Sequence, residues 1–142
     1  MKPKYLSIIL LLTSFNLNAQ SFENCIWQIN NVFGYNGESL EEYQLSKVEK
    51  QDERLNFVYG NLISFIRNSF SSYYTAPCGN DCFPSSYGSY KLINNNLIEI
   101  TQLVFEQSGD CETIHMKMKT TTLFQIVRKS KSNIILKKIN PE

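Results

Sequence analysis

The chain has 142 residues, 14 of them basic and 13 acidic, and its formal net charge at pH 7 is +1. Because it is nearly neutral and has no basic cluster beyond Lys137-Lys138, it offers little electrostatic attraction to nucleic acid, and we set aside a nucleic-acid partner. Its length corresponds to about one domain with one sizeable core.

The first 19 residues have the three parts of a secretory signal peptide. Lys2 and Lys4 form a basic start, the apolar run that ends at Leu12 is too short to cross a bilayer, and the small residue Ala19 marks a cleavage position. We therefore expect residues 1–19 to be removed and residues 20–142 to form the folded domain. The protein is expected to be exported, periplasmic or secreted, with no transmembrane segment after cleavage.

Short segments with alternating apolar and polar residues account for most of the remaining chain, which predicts half-buried strands. A short turn or helix is expected near Leu40. Gly88 opens a strand that continues to the Asn94-Asn95-Asn96 turn, and a second apolar strand follows, so these two form a hairpin. The other predicted strands are residues 25–33, 43–48, 55–59, 114–119, 123–127 and 134–139.

Residues 61–72 are ambiguous between helix and strand. Leu62, Phe65 and Ile66 fit helical spacing, whereas the serines and the β-favouring aromatic residues that follow favour a strand. We interpret the segment as one long, bent strand, with a helix as the alternative.

Seven to eight strands with short turns indicate an all-β, antiparallel up-and-down meander, closed into a single β-barrel of about eight strands so that no edge stays open. Trp27 in the first strand, the Gly88-Ser89-Tyr90 strand opening and the terminal Ile134-Ile135-Leu136-Lys137 strand resemble the small exported bacterial lipocalin-like proteins. The resemblance implies an up-and-down barrel that is open at one end.

Four cysteines in an exported chain indicate two disulfides. The most economical pairing joins Cys78 to Cys82 through the turn residues between them, and Cys25 to Cys111. A redox pair or a metal site at Cys78 and Cys82 is the alternative, but the two cysteines have three residues between them rather than two. The only histidine, His115, leaves a zinc site short of ligands, so no metal site is expected.

The leading functional hypothesis is binding of a small apolar ligand in the barrel interior. The rival hypothesis is a protein-interaction or inhibitor module that acts through the aromatic loop 75–86, where Phe83 and Tyr87 would form the contact surface. No nucleophile motif accompanies His115, so no enzymatic activity is expected. The protein is also expected to be a monomer without a cofactor. The candidate ligand-lining residues are Trp27, Phe57, Ile114, Met116 and Phe124.

Overall fold

The computed structural model describes residues 22–48 and 58–141, and these form an all-β barrel. Eight strands, each antiparallel to both neighbours, close into one barrel, which confirms the predicted fold class. The only helical element of the described residues is a short 3-10 turn at Tyr35–Gly37. The strands are β1 (Ile26–Ile29), β2 (Glu42–Lys47), β3 (Gly60–Ile66), β4 (Ser69–Thr75), β5 (Cys82–Asn94), β6 (Leu97–Gly109), β7 (Ile114–Arg128) and β8 (Asn133–Lys138).

The order of strands around the barrel departs from the consecutive order of a strict meander at one place. β1 lies between β2 and β3, β2 pairs with β8, and the remaining strands follow in sequence. Because β2 and β3 are both antiparallel to β1, they run in the same direction, and residues 48–59 form the connection between them. The predicted strand at residues 55–59 begins in this connection, and its first three residues lie outside the described part of the chain.

The segment that was ambiguous between helix and strand is a β-hairpin. β3 ends at Ile66, β4 begins at Ser69, and the two paired strands are joined by Arg67 and Asn68, both with positive φ (49° and 63°). A two-residue loop with positive φ at both positions is typical of a type I′ turn, whose twist matches that of the flanking antiparallel strands. The β interpretation was right, but the single strand was wrong. The turn was missed because arginine seldom adopts a positive φ, so Arg67 gave no turn signal.

The hairpin of β5 and β6 is confirmed and is longer than expected. β5 begins at Cys82 rather than near Gly88, so residues 82–86 of the predicted loop belong to a strand. The two predicted strands at residues 114–119 and 123–127 are one strand, β7, of 15 residues. β7 pairs with β8 only through Phe124–Arg128. Its amino-terminal part continues beyond that pairing beside β6, which pairs with β5 on its other side. We call residues 82–87, 103–109 and 114–119 of these three strands the extension.

The hydrophobic core lies inside the closed part of the barrel, where every strand contributes inward side chains at alternate positions. This alternation is clearest on β2, where Tyr43 and Leu45 are buried and Gln44 and Ser46 are exposed, and on β8, where Ile134 and Leu136 are buried. Within the described ranges, no helix is long and apolar enough to cross a membrane.

Candidate functional site: the barrel interior and the β5–β7 extension

The predicted ligand-lining residues lie in two different places, and two of them belong to the closed core. Trp27 is 2% exposed, and its indole N–H donates a hydrogen bond to the carbonyl oxygen of Phe22 at 3.1 Å. Phe124 is completely buried, with its ring centroid 5.9 Å from that of Tyr43. Phe57 lies outside the described residues.

The connection between β1 and β2 places an aromatic ring in the middle of the barrel. The Phe33 ring lies 4.9 Å from Tyr43, 5.2 Å from Phe70 and 5.7 Å from Phe124, measured between centroids. Its backbone N–H donates to the Ser72 hydroxyl at 3.0 Å, so the buried main chain is satisfied. Phe33 therefore occupies the space between β2, β4 and β7 that an interior ligand would need.

The same connection is held by hydrogen bonds at both ends of its turn. The hydroxyl of buried Tyr43 accepts hydrogen bonds from the N–H groups of Gly34 (3.1 Å) and Leu40 (3.0 Å), and burial raises the pKa of Tyr43. The Gln102 amide donates to the Gly34 carbonyl at 2.8 Å. Gly34 has φ +63°, and a Cβ there would overlap the end of the Gln102 side chain, so this position favours glycine.

The other two described lining candidates, Ile114 and Met116, are half-buried on the inner face of the extension. They lie opposite the buried Gln107 and Phe105 of β6. Tyr35 covers this face, because its ring is 5.4 Å from that of Phe105 and its hydroxyl donates to Gln107 at 3.0 Å. The structure therefore does not bring Ile114 and Met116 together with Trp27 and Phe124 in one cavity wall.

The disulfide of the described residues joins Cys82 to Cys111, so the pairings Cys78–Cys82 and Cys25–Cys111 are wrong. The physical reason is the register of the β5–β6 hairpin, which places Cys82 opposite Gly109, two residues before Cys111. At Gly109 (φ +106°) a Cβ would collide with the backbone of Asp81, so glycine allows the two chain segments to meet. Cys78 is a free, exposed thiol, and Cys82 is not available for a redox or metal pair with it.

The disulfide holds together the tip of the extension, where the chain between β4 and β5 meets the turn between β6 and β7. Asp110 N–H donates to the Asp81 carbonyl at 3.0 Å, and the Tyr74 hydroxyl donates to the Asp81 carboxylate at 2.9 Å. This second contact raises the pKa of Tyr74. The half-buried ring of Phe83 lies 6.1 Å from that of Tyr74. Phe83 therefore supports the tip from within a strand rather than from a loop.

The outer face of the extension carries exposed apolar and basic side chains. Tyr87 (39% exposed) lies opposite Val104, which in turn lies opposite Lys117. Leu103, 40% exposed, precedes Val104. Beside this row, His115 Nδ1 and Glu106 Oε1 are 2.8 Å apart on the exposed surface. The face can therefore offer an apolar contact bordered by positive charge.

Sequence reasoning missed Phe33, Tyr35 and Gln102, the residues that fill the interior and attach the β1–β2 connection. The Gly34-Tyr35-Asn36-Gly37 sequence indicates a turn, but not that the turn folds inward. The Cys82–Cys111 pair had a usable signal, because counting outward from the Asn95-Asn96 turn puts Cys82 at the level of Gly109.

Neither a scan against protein-family models nor searches of curated proteins and of solved structures found a match.

Proposed function

We propose that the protein is a protein-interaction module whose contact surface is the outer face of the extension. The observation that carries the proposal is the contrast between Phe33, which occupies the barrel interior, and Tyr87, which is 39% exposed beside Val104. Aromatic anchors dominate the energetics of many protein interfaces, and a rigid, disulfide-linked sheet loses little entropy when it binds.

An apolar ligand in the interior is less well supported. To reach Trp27 and Phe124, such a ligand would have to displace Phe33 from its contacts with three rings and break its hydrogen bond to Ser72. Protein cores are packed about as densely as organic crystals, so this displacement has a large free-energy cost.

We also propose that the module is an exported, monomeric relative of lipocalin-like proteins. Eight antiparallel strands in one closed barrel are compatible with that family, while the place of β1 between β2 and β3 is a departure from consecutive strand order. Export rests on the basic, apolar and small-residue order of residues 1–19. Mass spectrometry of the native protein should find an amino terminus at or near Gln20, and an intact Met1 would contradict export.

The interaction is tested by cross-linking in the native host, followed by purification of the wild type, Tyr87→Ala and Ile93→Ser. Ile93 is the control because it is 47% exposed on the same strand, at the opposite end beside the Asn95-Asn96 turn. A partner should be captured by the wild type and Ile93→Ser and lost with Tyr87→Ala, since truncating an aromatic anchor costs about 2 kcal/mol or more. Equal recovery with all three proteins would reject this face as the contact surface.

A further inference from the structure

One edge of the extension lacks a neighbouring strand. Residues 114–117 and 120–122 of β7 pair with β6 on one side, and the register shifts at Met118 and Lys119 between them. On the other side β8 pairs only as far as Phe124, and one further hydrogen bond runs from Ile139 N–H to the Leu123 carbonyl. Among the described residues no strand pairs with 114–122 on that side. We call this segment the β7 edge. Its outward backbone N–H and C=O groups form a template for an additional strand.

The side chains of the β7 edge alternate between two chemistries. Met116 and Met118 are half-buried on the inner side, where Gly37 of the β1–β2 connection lies against both. Lys117 and Lys119 are exposed on the outer side, and neither forms an ion pair with a described residue. No acidic residue occurs in 114–122. Glu112 lies two residues before this segment, and Glu106, which lies opposite His115 on β6, is 2.8 Å from that side chain.

This pattern disfavours a second copy of the chain as the added strand. If two β7 edges paired antiparallel about a twofold axis at Lys117 or Met118, lysines would lie opposite lysines. Like charges directly opposite each other destabilise a strand pair, and edge lysines are a common protection against self-pairing. The same lysines attract a strand that carries carboxylates at the facing positions.

We propose that the β7 edge accepts an extended segment of a partner protein with acidic residues at alternate positions and apolar residues between them. The segment's carboxylates lie beside Lys117 and Lys119, and its apolar side chains lie beside Met116 and Met118. The backbone of the β7 edge forms the hydrogen bonds to the added strand. The alternation of lysine and methionine side chains along the edge determines which segments bind. This inference rests on the proposed function, because it names the partner of the same extension.

The test uses the full protein and a synthetic peptide of four Glu-Val repeats with blocked ends. Binding is measured by titration calorimetry and by amide hydrogen exchange. The peptide should bind, more weakly at high salt because the charges are exposed. It should slow exchange of the amides in 114–122 that face away from β6. A peptide of the same sequence with every backbone nitrogen methylated keeps the charge but has no N–H donor, so it should not bind.

Two charge-reversal variants provide the matched comparison. Lys117→Glu with Lys119→Glu should raise the dissociation constant of the Glu-Val peptide about tenfold or more, because two cross-strand charge pairs become repulsive. Lys129→Glu with Lys131→Glu changes the charge equally in the exposed β7–β8 turn at the other end of the barrel and should leave the dissociation constant unchanged. Trp27 fluorescence should report the same unfolding midpoint for both variants and the wild type.

Four outcomes would overturn the inference: equal binding of the methylated peptide, equal weakening by both variants, no binding, or peptide binding without protection of 114–122. Slow exchange of the outward amides in the free protein would also overturn it, because another segment of this chain would then occupy the edge. If the slow exchange depends on protein concentration, the occupant is a second copy of the chain. None of these results affects capture of a partner through Tyr87, so the proposed function would fail separately.

Discussion

The closed part of the barrel and the extension use the same alternation of side chains for opposite purposes. In the closed part, the inward positions of all eight strands meet around the buried rings of Phe33, Tyr43 and Phe124. In the extension, one face is covered by the short turn around Tyr35, while Tyr87 on the other face stays exposed. The comparison supports the proposal that the closed part supplies most of the stability and that the extension serves recognition.

The largest expected effect comes from the core. Phe124→Ala removes a completely buried ring that contacts Phe33 and Tyr43, and it should lower the free energy of unfolding by about 3–5 kcal/mol. Tyr87→Ala in the extension should change it by only about 0.5 kcal/mol. Urea unfolding followed by the fluorescence of the single tryptophan, Trp27, measures both. Similar losses in the two variants would show that the regions do not differ as proposed.

The disulfide should be the main source of stability at the tip of the extension. Replacing both Cys82 and Cys111 by Ser releases a link between residues 29 positions apart, and the loop-entropy relation gives a loss of about 3–4 kcal/mol. Cys78→Ser removes the exposed thiol and is the control, with no expected change. Thermal unfolding under non-reducing conditions checks both variants. Destabilisation by Cys78→Ser would contradict the Cys82–Cys111 disulfide and support a disulfide between Cys78 and Cys82.

Tyr43→Phe should loosen the β1–β2 connection that covers the inner face of the extension. The substitution leaves the N–H groups of Gly34 and Leu40 without their acceptor, at a cost of about 1–3 kcal/mol. Hydrogen exchange should accelerate over residues 34–40. Tyr59→Phe, at a tyrosine that is 47% exposed, removes the same atom and should change neither quantity.

The smallest expected effect is a loss of stability in alkali. Burial, together with a hydrogen bond from the Tyr90 hydroxyl to the Glu23 carboxylate, raises the pKa of Tyr90 to about 12. Because the folded state keeps this proton at a pH where the unfolded state has lost it, stability should fall as the pH rises from about 10 to 12. Tyr90→Phe should make the decline shallower when urea midpoints are measured across this range, and an unchanged slope would exclude Tyr90 as a cause.

The sequence was sufficient where one local pattern determined the outcome. The strict alternation around Met116 correctly predicted a strand at residues 114–119, although not its continuation to Arg128, and the Asn95-Asn96 turn correctly predicted the β5–β6 hairpin. It was insufficient where distant segments decide. Residues far apart in the chain determine that Phe33 enters the barrel and that β1 lies between β2 and β3. No periodicity within a short window records such contacts.

The central claim is that the interior is filled by the protein's own rings and that recognition occurs on the extension. Native mass spectrometry of the protein purified from its native host, combined with organic extraction of the same sample, tests it most directly. The account predicts a chain that releases no apolar small molecule and that retains a partner protein, which is lost with Tyr87→Ala. Release of one equivalent of an apolar molecule, with no protein partner detected, would contradict the account and return the function to the barrel interior.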